Sequence, residues 1–324
     1  MKIPFFNKTK SDPSIITIAF YNVENLFDTL DDAEKFDDDF LPTAEKKWTN
    51  KRYKKKIYKL GTVISQIGKI RSGKAPMIIG LAEVENKNVL NELIRSKHLR
   101  DQDYGYVHHD SPDERGIDVA LMYQKENFKV IDSKPYPIDI TTDEANPDYT
   151  RDILLVVGEL HGERVNIIVN HWSSRSQGVK ETEFKRLIAS EKVIEIVNEI
   201  RAACPDAKII VMGDFNDDPS NNSVRQLSNS LDLHNPMETL LSYTRGSLNY
   251  RFQWNMFDQI LISTNFLEFE KGSISFSKGD IFDKKFLTQF KGKYMGQPFR
   301  TYVGSKYKGG YSDHFPVFIQ LKKH

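Results

Sequence analysis

Eight apolar runs of strand length punctuate the chain, at 15–23, 77–84, 118–123, 153–160, 164–170, 209–212, 257–262 and 315–321. Most are β-branched and bounded by Gly, Asp or Pro, which marks strands. Helical periodicity is scarcer. Within 51–70, Ile57, Leu60, Val63, Ile64 and Ile67 recur at three- and four-residue steps under a basic face, predicting one amphipathic helix. A second is predicted over 181–203, with Phe184, Leu187, Ile188, Val193 or Ile194, and Val197 inside, and a third over 88–96. So many strands with helices dispersed among them predict the α/β class, two mixed β-sheets packed face to face and flanked by helices. No repeat or low-complexity linker divides the 324 residues, so one domain over 15–324 is expected after a tail at 1–14.

Charge narrows the partners. Lys and Arg number 46 against 45 for Asp and Glu, a net charge of +1 that cannot hold DNA or a membrane by bulk attraction. A polyanionic substrate must be caught by local patches. One cysteine, Cys204, excludes an internal disulfide framework. The start, MKIPFFNKTKSDPS, is too short and polar for a secretory signal, and no run reaches membrane-spanning length. The expectation is a cytoplasmic protein with no obligate protein partner.

The ends of the runs are the chemical signal. IIVMGDFNDDPSNNS empties a buried strand into Asp214, Asn216, Asp217 and Asp218, costly unless a cation or phosphate sits there. The same happens in FYNVEN with Asn22 and Glu24, GLAEVEN with Glu83 and Glu85, and VNHW with Asn170 and His171. MFDQI places Asp258 within a strand, and YSDHFPV puts Asp313 and His314 before the last. Strands leaving one sheet edge would gather these groups into a single pit. Oxygen-rich donors with two histidines and no cysteine match Mg²⁺, or Mn²⁺ in its place, with Glu83 and Asp313 as the carboxylates. A phosphodiester then needs a group to activate water and groups to offset charge on its oxygens. Asp214, Asn216, His171 and His314 supply candidates. Arg175 of HWSSRSQG offers a bidentate phosphate clamp.

The phrases YNVENLFD, LAEVEN, RGIDVALMY, NHW, GDFNDDP, WNMFDQI and GGYSDHFPV, in this order from Asn22 to Val317, resemble a bacterial branch of the endonuclease/exonuclease/phosphatase superfamily. That superfamily includes deoxyribonuclease I. The resemblance implies a four-layer α/β sandwich with the active site at the sheet edge. It implies Glu83, Asp313, Asn22 and Glu24 on the metal side, Asp214 and Asn216 at the water and phosphoryl oxygens, His171 at the scissile phosphate, and His314 oriented by Asp258. Arg151 and Arg115 match positions near the substrate groove, and Asn170 joins them on the substrate side.

Together these predict a divalent-metal-dependent phosphoesterase, foremost a phosphodiesterase or endonuclease cleaving DNA or RNA by in-line attack of water. A phosphomonoesterase or lipid-headgroup hydrolase is the nearest rival, and a non-catalytic module of the same fold the more distant one. Two loops stay open. Residues 28–39 hold seven acidic residues, answered by basic ones over 46–59, and read as solvated surface. Over 293–311, Tyr294, Phe299, Tyr302, Tyr307 and Tyr311 interleave with Lys293, Arg300, Lys306 and Lys308, either as a stacking platform or as packing.

Overall fold

A strand whose residues are apolar on both faces must be covered on both sides, and 208–214 shows how. In a computed structural model describing residues 11–141 and 147–324, Ile210 and Met212 of this strand enter the core between two sheets. Ile209 and Val211 face the opposite way, under helices. Residues 1–10 of the expected tail lie outside the described residues.

The first sheet holds β1 (Ile15–Leu26), β2 (Ile78–Val84), β3 (Tyr104–His108) and β4 (Asp118–Gln124). The second holds β5 (Phe128–Tyr136), β6 (Ile153–Leu160), β7 (Glu163–His171), β8 (Lys208–Asp214), β9 (Leu233–His234) and β10 (Asp258–Ser263). Strands β11 (Ile274–Ile281) and β12 (Val317–Lys323) return to the first sheet, so the orders are β11-β12-β1-β2-β4-β3 and β9-β10-β8-β7-β6-β5. Each sheet has one parallel pair at its centre, β1 with β2 and β7 with β8, and antiparallel neighbours elsewhere. Both sheets are therefore mixed, as expected. Parallel strands bring their C-terminal ends to one edge, and antiparallel neighbours bring their N-terminal ends to it. Asp214 thus lies opposite His171 on one side and Asp258 on the other.

Helices α1 (Asn50–Ile64), α2 (Lys69–Ser72) and α3 (Lys87–Ile94) belong with the first sheet, and α4 (Glu183–Ala203) and α5 (Asn222–Leu231) cover the second. Three local expectations needed correction. The first helix stops at Ile64, because Gly68 turns left-handed at φ 68° and lies so close to Thr17 that a Cβ would meet it at 2.5 Å. Lys56, read as part of the basic face, is instead buried. On α4, Phe184 is exposed, while Arg186, Ala189, Ser190, Val193, Ile196 and Val197 are inside. Among the described residues no helix is long and apolar enough to cross a membrane.

Candidate active site

The two central parallel pairs deliver their terminal side chains to one point. Asn22, from β1, donates through Nδ2 to Glu83 Oε1 at 3.2 Å and to Asp214 Oδ2 at 2.9 Å, linking the two sheets across the edge. His171 Nε2 stands 3.9 Å from Glu83 Oε1 and 3.8 Å from Asp214 Oδ2. His314 Nε2 is also 3.8 Å from Asp214 Oδ2, and 4.0 Å from Asp313 Oδ1. Its other nitrogen, Nδ1, meets Asp258 Oδ2 at 2.7 Å. Asn216, at φ 49°, donates its backbone N–H to Asp214 Oδ1 at 3.0 Å and its side-chain amide to Trp172 O at 2.9 Å. Gly213 permits this crowding, since a Cβ there would meet the Asn170 carbonyl at 2.4 Å. Glu83, Asp214, His171, His314, Asp258, Asp313 and Asn216 thus surround one site.

Electrostatics separate their states. Burial pushes the Asp214 carboxyl up to about 6, helped by the charge of Asp258 and opposed by His314. Burial also drives His171 well below the usual imidazole range, and the charges of Arg151 and Arg115 push it the same way, so it is neutral. His314 is opposite: burial disfavours its charge, but Asp258 and Asp214 outweigh that and hold it well above the ordinary range. The edge thus carries one neutral and one cationic imidazole.

Four of the sequence-based candidates are engaged by other protein groups. The Asn22 amide nitrogen faces the carboxylates while its Oδ1 accepts from Glu24 N at 3.0 Å, so the side chain positions Glu83 and Asp214 through its nitrogen. Glu24 is held on the far side of Arg300, which reaches both its carboxylate and that of Asp313. With φ of 51° at both Glu24 and Asn25, β1 bends there, and the Glu24 carboxylate accepts from Thr301 N at 2.6 Å, 3.9 Å from Lys56 Nζ. Asn170 is fully buried and bonded to Met212 O and Trp172 Nε1, because it alternates with His171 along β7. Arg175 is spent on the loop after β8: Nε reaches Asn216 O at 2.6 Å, and Nη2 reaches Asp217 Oδ1 at 2.5 Å and Asn221 Oδ1 at 2.9 Å. Arg151 is buried as well, joined to Asp113 at 3.0 Å and to Trp172 O at 3.2 Å, the carbonyl that also accepts from Asn216.

Sequence reasoning missed two supports. Arg186, buried on α4, pairs with Asp217 Oδ2 at 2.8 Å and donates to Thr182 Oγ1 and Val179 O. Its position on the apolar face of a helix, i+4 from Thr182, was the available signal. Arg186→Met should lower the unfolding free energy by about 3 kcal/mol, because Asp217 loses one partner for its buried charge. Urea denaturation measures this, and an unchanged midpoint would remove Arg186 as a support. The second is Phe252, stacked on Tyr294 with centroids 5.5 Å apart and planes 5° apart. Both are about half exposed (49% and 48%) on a wall that starts beside His314, where Leu248 of the hairpin 248–255 bridges to it. The other aromatics of the 293–311 loop pack: Tyr302 against Phe40, Trp48 and Tyr307, Tyr311 against Phe286, and Phe299 against Phe290. Arg300 holds Asp313 Oδ2 at 2.6 Å and lines a cavity of about 170 Å³ with Glu24, Lys46 and Tyr302.

The donors fit a hard divalent cation. Glu83 and Asp214 share the Asn22 amide, Asp313 lies within reach of the His314 imidazole on the same edge, and a positive charge would relieve the burial that lifts Asp214. The close Asp214, Asp258 and His314 cluster reads otherwise, since Asp258 Oδ2 is taken up by His314.

Comparison with known proteins agrees with this architecture. A model of the Endonuclease/Exonuclease/phosphatase family matches residues 17–323. Humanised D. rerio TDP2 carrying 14 mutations is 13% identical, with TM-score 0.58 over 96% of this chain and 100% of that one. A Bacteroides thetaiotaomicron mannosyl-6-phosphatase is 16% identical, with TM-score 0.58 over 94% and 99%. The human Nocturnin catalytic domain with bound sulfate is 16% identical, with TM-score 0.56 over 97% of each chain. No curated protein matches.

Proposed function

The chain belongs to the endonuclease/exonuclease/phosphatase family, and on that premise we propose that it is a divalent-metal-dependent phosphodiesterase acting on nucleic acid. The observation that carries the reading is the meeting of Asp214 with both imidazoles, one neutral and one cationic, beside Glu83. Asp214 orients a water and accepts its proton as the water oxygen bonds phosphorus and the bond to the leaving oxygen breaks. His314, held charged by Asp258, stabilises charge on the phosphate and returns a proton to the leaving oxygen. His171 and the second amide hydrogen of Asn216 bind non-bridging oxygens. A Mg²⁺ or Mn²⁺ held by Glu83 and Asp313 would supply charge neutralisation at the phosphate when bound. Asn22 keeps the two carboxylates in register.

Chelation should abolish turnover of a single-stranded oligonucleotide, and added Mg²⁺ or Mn²⁺ should restore it. Persistent turnover in excess chelator would end the metal-dependent reading.

The aromatic wall favours a substrate with stacking rings. Each stacked base is worth roughly 1–3 kcal/mol, so Phe252→Ala should raise KM for an oligonucleotide about tenfold at little changed kcat. A small chromogenic phosphodiester should be unaffected. If instead only sugar phosphates turn over and Phe252→Ala is silent, the phosphomonoesterase reading wins, which the +1 net charge and the mannosyl-6-phosphatase likeness favour.

A further inference from the structure

The edge that carries the candidate active site continues past it along the first sheet. Strand β4 runs antiparallel to β2 with Asp118 opposite Val84, one residue beyond Glu83, and β3 follows with His108 opposite Ala120. The His108 side chain is 0% exposed, and neither ring nitrogen has a hydrogen-bond partner among the described residues. Nε2 stands 3.6 Å from Asp118 Oδ2, and Nδ1 stands 3.7 Å from Asp110 Oδ1, both beyond hydrogen-bond reach. One ligand atom from each of the three residues lies within 4.8 Å of the others. Ser111 fixes the Asp118 carboxylate through its hydroxyl and its backbone N–H. Asp152, close enough for its charge and that of Asp118 to repel, has a further buried oxygen without a partner among the described residues.

We propose that His108, Asp110 and Asp118 form a second divalent-metal site, distinct from the one at Glu83 and selective for Zn²⁺ or Mn²⁺ over Mg²⁺. The spacing suits an ion. Two ligand atoms each about 2.0–2.2 Å from a tetrahedral zinc lie roughly 3.4 Å apart, a small contraction from the observed 3.6 Å. An ion on Nε2 would sit between His108 and Asp118, and the Asp110 side chain, 70% exposed and now nearest Nδ1, would swing round the ring to join them. An imidazole among carboxylates suits Zn²⁺ and Mn²⁺, whereas Mg²⁺ takes oxygen ligands and keeps most of its waters. The ion would fasten the loop 109–117, whose Asp113 holds Arg151 at 3.0 Å beside the Trp172 carbonyl. It would therefore stiffen one wall of the groove without joining the reaction.

The test uses the full chain stripped of metal and titrated with Zn²⁺ alone, counting bound ions by calorimetry and elemental analysis and following the melting temperature. The parent should bind one equivalent that survives in Glu83→Gln and is lost in both His108→Gln and Asp118→Asn, with the accompanying rise in melting temperature. The two variants guard against misfolding of either one, and circular dichroism verifies their folds. Replacing Zn²⁺ by Co²⁺ should give visible absorption bands that His108→Gln removes. Equal stoichiometry in the parent and both variants, or no equivalent beyond the one Glu83→Gln removes, would overturn the proposal and leave His108 bridged to its carboxylates by a proton or water. Loss of the phosphodiesterase reading would leave these counts untouched.

Discussion

Asp214→Asn turns over a phosphodiester about 10³-fold more slowly than the parent, with KM little changed. A positioned proton acceptor is worth roughly 10²–10⁴-fold, and the asparagine amide cannot take a proton from water. Its neighbours sharpen the expectation. Asp214 Oδ2 accepts from Asn22, and Oδ1 from the Asn216 backbone, so one carboxylate serves two donors while facing both imidazoles. The pH profile carries a second signature. Burial pushes this carboxyl up to about 6. A base works deprotonated, so turnover falls as pH drops through that value, and a bound cation moves the limb lower. The Asn protein has no such limb. Parental turnover in Asp214→Asn, or an unchanged acid limb, would remove Asp214 from the chemistry.

His314→Ala costs both rate and stability. The rate should drop about 10³-fold, because charge on the phosphate loses its cation and the leaving oxygen its acid. Stability should fall by about 3–5 kcal/mol. Asp258 is 0% exposed, its Oδ2 is paired with His314 at 2.7 Å, and its Oδ1 has no partner among the described residues. Removing the imidazole strands a buried carboxylate. Asp258→Asn keeps the shape but removes the charge that raises His314, so the alkaline limb of the pH profile moves down toward the ordinary imidazole range and the rate falls about 10²-fold. Because Asp258 acts through His314, the double variant should be no slower than His314→Ala alone. Steady-state kinetics with urea denaturation measures both quantities, and additive rate losses would show that Asp258 has a separate role.

The strand ends were legible because they rest on local rules. A run such as IIVM reads as a strand covered on both faces, and its termination in GDFN forecasts polar side chains at an edge. Strand 153–160 appears in the structure with the same limits as in the sequence reading. Strands β3, β5 and β11 and helix α5 were not legible. Strand β5 carries four polar or charged residues, Lys129, Asp132, Ser133 and Lys134, among its nine, with Phe128 alone buried, and its partner β6 supplies the pattern that it lacks. The inner face of α4 was misread because Arg186 breaks its hydrophobic periodicity from inside the core, held there by Asp217 on another element.

Within the candidate site, residue type forecast chemistry better than it forecast contacts. Asp258 and His314 were matched from motifs 56 residues apart, and the structure joins them at 2.7 Å. Glu24 sits two residues from Asn22 in the same phrase, yet its carboxylate meets Thr301, 277 residues away. Arg175, read from its motif as a phosphate clamp, is held by Asn216 O and Asp217 Oδ1 of the loop after β8.

The sequence by itself determined the alternation of strands and helices, the class of the fold and the types of side chain at the sheet edge. These depend on apolar periodicity and on which residues end a strand, information carried within a few neighbours. Only the tertiary structure decided that Asn22 donates to two carboxylates, that His171 is neutral while His314 is charged, and that Glu24 and Arg175 brace the scaffold. Orientation and protonation are set by partners that the chain brings together from distant segments in a medium stripped of water.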